Sequence, residues 1–367
     1  MGSFYRADVL GSLLRPAHLK SAREAWLSGR LAASELKRIE DRCVDAAIAM
    51  QEGAGVDVVS DGELRRSWFS GLYTDALEGL STAAQIKSRI SGEGAAAETR
   101  TLDAPVVTSK ISRRNSWAIE EFAYARGKAR LPLKVSLPSP LMMYLNWSRD
   151  HSKSAYPDPF DLFADAARVL RAEIVELANL GCTYIQIDTP EICVLVDPAF
   201  RKAGFDDHGI SSARSLTDGM DLINSVAAPI PGVTFGLHFC RGNYKGHWFA
   251  QGGYEAISQC FRRATNYNHL LLEYDDARSG GFEPLRDVPD GVNVVLGLVS
   301  TKTNTVESVD QVVDRIDEAS RYFPRERLAV STQCGFASVS EGNPISEEVQ
   351  EAKLHVVAEA ARRAWPR

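Results

Sequence analysis

Along this chain, short apolar runs rich in β-branched residues alternate with longer stretches whose apolar positions recur at helical spacing. The strand-like runs are "RADVLGS" (6–12), "GVDVVSDGE" (55–63), "LPLKVSLPSP" (131–140) and "CTYIQIDTPE" (182–191). They continue with "GVTFGLHFC" (232–240), "HLLLEYD" (269–275), "VNVVLGLVS" (292–300) and "LAVSTQCG" (328–335). Between them the spacing predicts helices. One covers 34–51, with Leu36, Ile39, Cys43, Ala47 and Met50 on a single stripe. Another begins near Pro159 and stops at Gly181, and two more follow in "SVDQVVDRIDEASRYFP" and "SEEVQEAKLHVVAEAARRA". Strands that are apolar throughout are buried on both faces, as in a parallel sheet covered by helices. Eight strand–helix repeats therefore predict an α/β fold, a closed (β/α)8 TIM barrel, with residues 1–367 forming one domain. The stretch from about 80 to 128 breaks the rhythm and reads as an inserted hairpin or lid after the second strand. A doubly wound sheet is the competing architecture, but no GxGxxG follows the first strand.

Composition narrows the function classes. The 367 residues are 44% hydrophobic and 25% charged, as in an ordinary globular protein. A net charge of −6 with scattered Arg and Lys carries no nucleic-acid footprint. No run approaches the length of a membrane span, and "MGSFYRADVL" has neither a signal-peptide core nor a myristoylation Ser or Thr at position 6. Six cysteines in so long a chain do not make a disulfide framework. The expected location is cytoplasmic.

Catalytic groups of such a barrel lie at the C-terminal ends of its strands. Here those ends carry Ser12, Glu63, Ser139, Asp188, His238 with Cys240, Glu273, Ser300 with Lys302, and Cys334. Polar residues naturally begin where strands end, which accounts for the serines. It does not account for one His, two Cys and one Glu on the last four strands. His238 and Cys240, two apart on a strand, point to the same face. With Glu273 and Cys334 they make an imidazole, two thiolates and a carboxylate, a donor set suited to tetrahedral Zn2+ rather than magnesium or calcium. Cys43, Cys182 and Cys260 read as small apolar residues. Cys193 and His247 are outlying candidates, the first to approach the site and the second as a proton carrier.

These segments resemble the catalytic barrel of the cobalamin-independent methionine synthases and their single-barrel relatives. The likeness is carried by "VLGSLLRP", "GVDVVSDGE", "YIQIDTPE", "LHFCRGN" and "VSTQCGFAS", and spans nearly the whole chain. It implies zinc on His238, Cys240, Glu273 and Cys334. It implies a thiol substrate held by the Gly11–Ser12 backbone, Glu63 and Asp188, the two carboxylates receiving an amino group. The related epoxyalkane:coenzyme M transferases share the zinc set, and there Arg15, Arg65, Arg66 or Arg241 would meet a sulfonate. Two departures stand out. The full methionine synthases carry a second, N-terminal barrel that helps bind polyglutamylated folate, whereas this chain reads as one barrel. Where their seventh strand ends in a histidine proposed to protonate the leaving group, this chain has "GLVSTKTNTVES". Lys302 stands near that place. It is the candidate catalytic proton donor, beside Asp188, or else it pairs outward with Glu307 or Asp310.

Zinc bound by two thiolates and a carboxylate keeps a substrate thiolate nucleophilic, whereas a hydrolytic site favours His-rich ligands. The leading expectation is therefore zinc-dependent methyl transfer to homocysteine or a similar thiol, from methyltetrahydrofolate or another donor. Addition of a coenzyme M-type thiol to an epoxide is the second, and a non-catalytic zinc-stabilised barrel the third. Partners are a small thiol and an alkyl donor, with no nucleic acid and no membrane; a homo-oligomer is compatible with the sequence.

Overall fold

The computed structural model describes residues 4–90, 100–116, 118–247 and 250–366. Nine strands occur among them: β1 (Ala7–Asp8), β2 (Leu77–Ile90), β3 (Arg100–Arg113), β4 (Lys134–Pro138) and β5 (Tyr184–Asp188), then β6 (Thr234–Phe239), β7 (His269–Glu273), β8 (Asn293–Val299) and β9 (Leu328–Thr332). Seven form one parallel sheet in the order β1-β9-β8-β7-β6-β5-β4. The sheet curls so that its edges are bridged by the segment around Val59. Asp57 donates its N–H to the Ala7 carbonyl at 2.9 Å, and Val59 pairs in parallel with Leu133. The result is the expected TIM barrel.

Its second stave differs from the sequence expectation, being a single bridge rather than a strand. Two local causes are visible. The Asp57 carboxylate takes the N–H groups of Arg6 and Ala7, so those donors leave the ladder. Across the seam, Pro132 has no N–H to give. A buried ion pair spans the weak stave instead: Lys134 on β4 reaches Asp8 on β1 at 2.7 Å, and Tyr184 donates to the same carboxylate at 2.8 Å. Inside the barrel, Leu10, Leu271, Val295 and Ala329 pack together; a much larger apolar core lies between the sheet and the helices.

The predicted helices form where the periodicity places them, over Ala33–Ala54, Pro159–Asn179, Val309–Ala319 and Glu347–Ala364. Asp158 caps the second of these, and Ser308 with Gln311 closes a capping box on the third. The excursion is an antiparallel hairpin of β2 and β3. Its bounds differ from those expected. The helix Ala118–Arg126 packs in the outer ring between Ala33–Ala54 and Pro159–Asn179, so it is the barrel's own crossover. The base of the hairpin is pinned by Ser152 donating to the Val107 carbonyl and Tyr156 accepting from the Ile111 N–H. Part of the expected insertion, 91–99, lies outside the described residues. A second excursion, absent from the sequence reading, follows β5: residues 190–219 form short helical turns, two of them π-helical. Among the described residues, no helix is long and apolar enough to cross a membrane.

Candidate metal centre and active-site cavity

Parallel register brings the candidate ligands together. Asp188, at the end of β5, pairs with His238 on β6, and Glu273 ends the adjacent β7. Cys240 lies just past β6 and Cys334 just past β9. One donor atom from each of His238, Cys240, Glu273 and Cys334 falls within 4.8 Å of all the others. The two sulfurs are 3.5 Å apart, and His238 Nε2 is 3.5 Å from Glu273 Oε1. Two sulfurs on one tetrahedral zinc, about 2.3 Å from it, stand roughly 3.8 Å apart; an imidazole nitrogen and a carboxylate oxygen stand roughly 3.4 Å apart. The spacings fit.

The surroundings fit as well. His238 Nδ1 lies 3.0 Å from Asp188 Oδ1, which also accepts from Gln186 at 2.6 Å. With Nδ1 engaged, Nε2 is left as a buried atom without a hydrogen-bond partner, facing the other donors. A carboxylate that orients a ligating imidazole in this way also raises its basicity. Glu273 is held from both sides, by the Arg241 N–H at 2.9 Å and by Gln333 Nε2 at 2.5 Å. The charges call for a cation. The Cys240 thiol is pushed well above its ordinary value by its hydrogen bond to Cys334, by burial and by the negative charges of Cys334 and Glu273. Burial opposes a charge on His238, but the Asp188 and Glu273 carboxylates outweigh it and lift the imidazole to about 10. Burial likewise opposes ionisation of Glu273, yet His238 and the charge of Lys302 hold it to about 2. The four groups together could hold a metal ion.

The cluster opens into a cavity of about 860 Å³, which His238, Cys240 and Cys334 line together with Gly11, Ser12, Glu63 and Asp188. A Cβ on Gly11, at φ 59°, would come 2.9 Å from the Gly335 Cα, and a Cβ on Gly335 would come 2.5 Å from the Ser12 nitrogen. The loops after β1 and β9 can therefore touch only as glycines, which brings the Ser12 backbone beside Cys334. Glu63 takes a left-handed backbone, φ 53°, unusual for a non-glycine residue. Asp61 Oδ1 accepts its N–H at 2.9 Å, and Arg15 donates to its carbonyl at 3.0 Å. Burial, only partly offset by Arg66, raises its carboxyl to about 7, with Asp188 and Asp61 adding to the rise. Its Oε2 is buried without a partner.

Several candidates are placed elsewhere. Arg15 does not line the cavity; its guanidinium donates to the carbonyls of Glu63, Arg66 and Ala337 and so ties loops together. Arg65 pairs with Asp41, Arg66 with Glu121, and Arg241 donates to the Gly252 and Arg278 carbonyls. None of the four lines the cavity. Lys302 is also absent from the lining. It is buried and pairs at 3.2 Å with Asp275, rather than with the Glu307 or Asp310 of the outward reading. Glu307 is instead bound by Lys353. Cys193 is buried with its thiol on the Phe239 carbonyl, and His247 sits in a turn facing Tyr244. The aromatic walls were missed in the sequence: Trp68, Tyr144, Trp147, Phe200 and Tyr244. Trp68 follows Glu63 closely enough to have been suspected, but Phe200 comes from the unforeseen excursion after β5.

A parallel barrel with this mouth belongs to a known class. The chain is a member of the family described as cobalamin-independent synthase, catalytic domain, which it matches over residues 6–362, and is thereby a methyltransferase-family protein. Within reach of it, the uncharacterized protein YxjH of Bacillus subtilis (strain 168) is 34% identical, over 98% of this chain and 95% of that protein. The methionine synthase of Saccharolobus solfataricus is 24% identical, over 90% of this chain and 88% of that protein. The fold is shared with a B12-independent methionine synthase from Shewanella sp. W3-18-1, with a TM-score of 0.78 at 22% identity and 98% of both chains covered.

Proposed function

We propose that this protein methylates the thiol of homocysteine or a closely similar amino-acid thiol, at a zinc ion held by His238, Cys240, Glu273 and Cys334. The observation that carries the reading is the pairing of a sulfur-rich donor set with two carboxylates, Glu63 and Asp188, in one cavity that no Arg or Lys lines among the described residues. An α-ammonium suits those carboxylates; the sulfonate of a coenzyme M-type thiol would meet their like charge. A purely structural zinc is disfavoured because such sites are closed, whereas this cluster faces a large cavity.

Bound zinc would let the substrate thiol lose its proton near neutral pH while remaining nucleophilic. The chain supplies the rest. Asp188 fixes the His238 ring, and Gln333 and the Arg241 N–H fix Glu273. Glu63 and Asp188 receive the substrate ammonium, and the Gly11–Ser12 backbone its carboxylate. The aromatic walls keep water from the reacting sulfur.

Metal analysis tests the first part: about one zinc per chain is expected for one four-ligand site, lost in Cys240→Ser and Cys334→Ser while the circular-dichroism spectrum is kept. Near-stoichiometric zinc in both variants would refute the ligand assignment. For the second part, the cobalt-substituted protein is titrated with homocysteine and with coenzyme M. The sulfur-to-cobalt absorption should rise at least about tenfold earlier with homocysteine, because one amino-group contact of about 1.4 kcal/mol gives that factor. Equal or tighter response to coenzyme M would overturn the assignment of an amino-acid thiol.

A further inference from the structure

The cavity has more room than an amino-acid thiol fills, and its remaining wall defines the second substrate. About 860 Å³ is the size of a site for a drug-sized ligand. Its lining carries four carboxylates, Glu63, Asp188, Asp197 and Glu341, and no Arg or Lys among the described residues. Lys245, next to the lining residue Tyr244, is held by Glu341 at 2.8 Å. A donor with an anionic tail would meet these carboxylates, with no Arg or Lys of the described residues in the lining to pair with it.

The aromatic side of the wall points the same way. Trp68, Tyr144, Trp147, Phe200 and Tyr244 come from four different loops onto one cavity. Aromatic faces beside carboxylates are the chemistry by which proteins hold onium cations. A third observation concerns protons. Departure of an amine-type leaving group needs a proton at the leaving atom. Lys302, at the end of the seventh barrel strand, instead lies outside the cavity lining on Asp275. A thioether leaving group needs none, and Glu63, the lining carboxyl raised to about 7, is left to the substrate ammonium.

We propose that the methyl donor is a small methylsulfonium compound, bound against these aromatic and acidic walls; the inference rests on the amino-acid thiol reading above. The step balances without any further reactant. A lone pair of the acceptor thiolate forms the new S–CH3 bond. The donor's C–S+ bond breaks, and its electron pair goes to the departing sulfur. One anion and one cation become two neutral thioethers, a loss of charge that a medium less polar than water favours. The thiol's proton has left earlier, on binding.

The zinc-loaded enzyme with homocysteine is offered S-methylmethionine, glycine betaine and methyltetrahydrofolate in turn, and methionine formation is measured. The sulfonium should be used with a kcat/KM at least tenfold above the folate, on the order of one desolvated cation–π contact, and above betaine, whose amine leaves less readily than a thioether. A higher kcat/KM with folate or betaine overturns the inference. If homocysteine raises the cobalt absorption but no sulfonium is used, this inference fails and the proposed function stands. If homocysteine leaves that absorption unchanged, the function itself fails. Binding gives an independent reading. With the amino-acid subsite saturated by methionine, S-methylmethionine is titrated against its uncharged carbon isostere, 2-amino-5-methylhexanoic acid. The cation should bind about tenfold tighter, and Trp68→Leu should remove most of that preference. Equal affinity for the two ligands would overturn the inference even if the variant failed to fold.

Discussion

If the proposed function holds, Glu63 is where pH enters substrate binding. Its carboxyl, raised to about 7 chiefly by burial, is largely protonated in the free site below neutrality. An ammonium ligand binds the ionised form, so below pH 7 binding must expel a proton. Methionine isolates this effect because its thioether does not titrate. Its affinity should be flat above pH 7 and fall by about tenfold per unit below it, the slope of one-proton linkage. Glu63→Gln should weaken binding throughout and abolish the slope; calorimetry across pH 5.5–8.5 checks both, and a slope surviving in the variant would assign it to another group. Lys302 behaves differently. Its pair with Asp275 is buried two residues beyond Glu273. Lys302→Met should cost about 3–5 kcal/mol in urea unfolding, because Asp275 is left as an uncompensated buried charge. Lys302→Met combined with Asp275→Asn should recover most of that loss; equal instability of the double variant would show that the ion pair is not the cause. Residue types at strand ends pointed to both positions in advance. Only geometry separates Glu63, in the cavity, from Lys302, outside its lining.

At the level of elements, the site depends on how closely the loops after β1 and β9 approach. A Cβ added to Gly335 would sit 2.5 Å from the Ser12 backbone nitrogen. Gly335→Ala must push the two loops apart, moving Cys334 on one and the amino-acid contact on the other. Overpacking of this kind costs about 1–3 kcal/mol of folding stability, and the displaced contacts should weaken methionine binding by roughly tenfold, about 1.4 kcal/mol. Wild-type affinity measured by calorimetry on the folded variant would show that the loops have slack. Periodicity identified the long helices correctly, because their apolar stripes report one buried face. It overextended the second strand, since the diversion of β1 donors to Asp57 and the missing N–H of Pro132 act between segments far apart in sequence. It also assigned the crossover helix Ala118–Arg126 to the insertion and overlooked the helical turns at 190–219. Those short turns have no sustained period to detect.

For the whole molecule, the metal should act as a staple across the barrel mouth, joining β6, β7 and the end of β9. A ligand that binds only the native state at 1,000 times its Kd adds about 4 kcal/mol. With about 2.1 cal/mol/K of unfolding entropy per residue, this shifts Tm by roughly 5 °C in a chain of 367 residues. Zinc loading of stripped protein should produce such a shift in a thermal scan, and Cys240→Ser should not show it; an equal shift in the variant would place zinc elsewhere. The sequence by itself determined the barrel and the four candidate ligands. Strand–helix alternation is a local pattern, and parallel staves in register must deliver their C-terminal residues to one mouth. Tertiary structure alone decided which charged residues line the cavity. Arg15, Arg66 and Lys302 are consumed by carbonyls and carboxylates from distant loops. It also gathered Trp68, Trp147, Phe200 and Tyr244 from separate loops onto one wall. Whether a side chain points into a cavity depends on partners far away in the chain, and no local pattern records them.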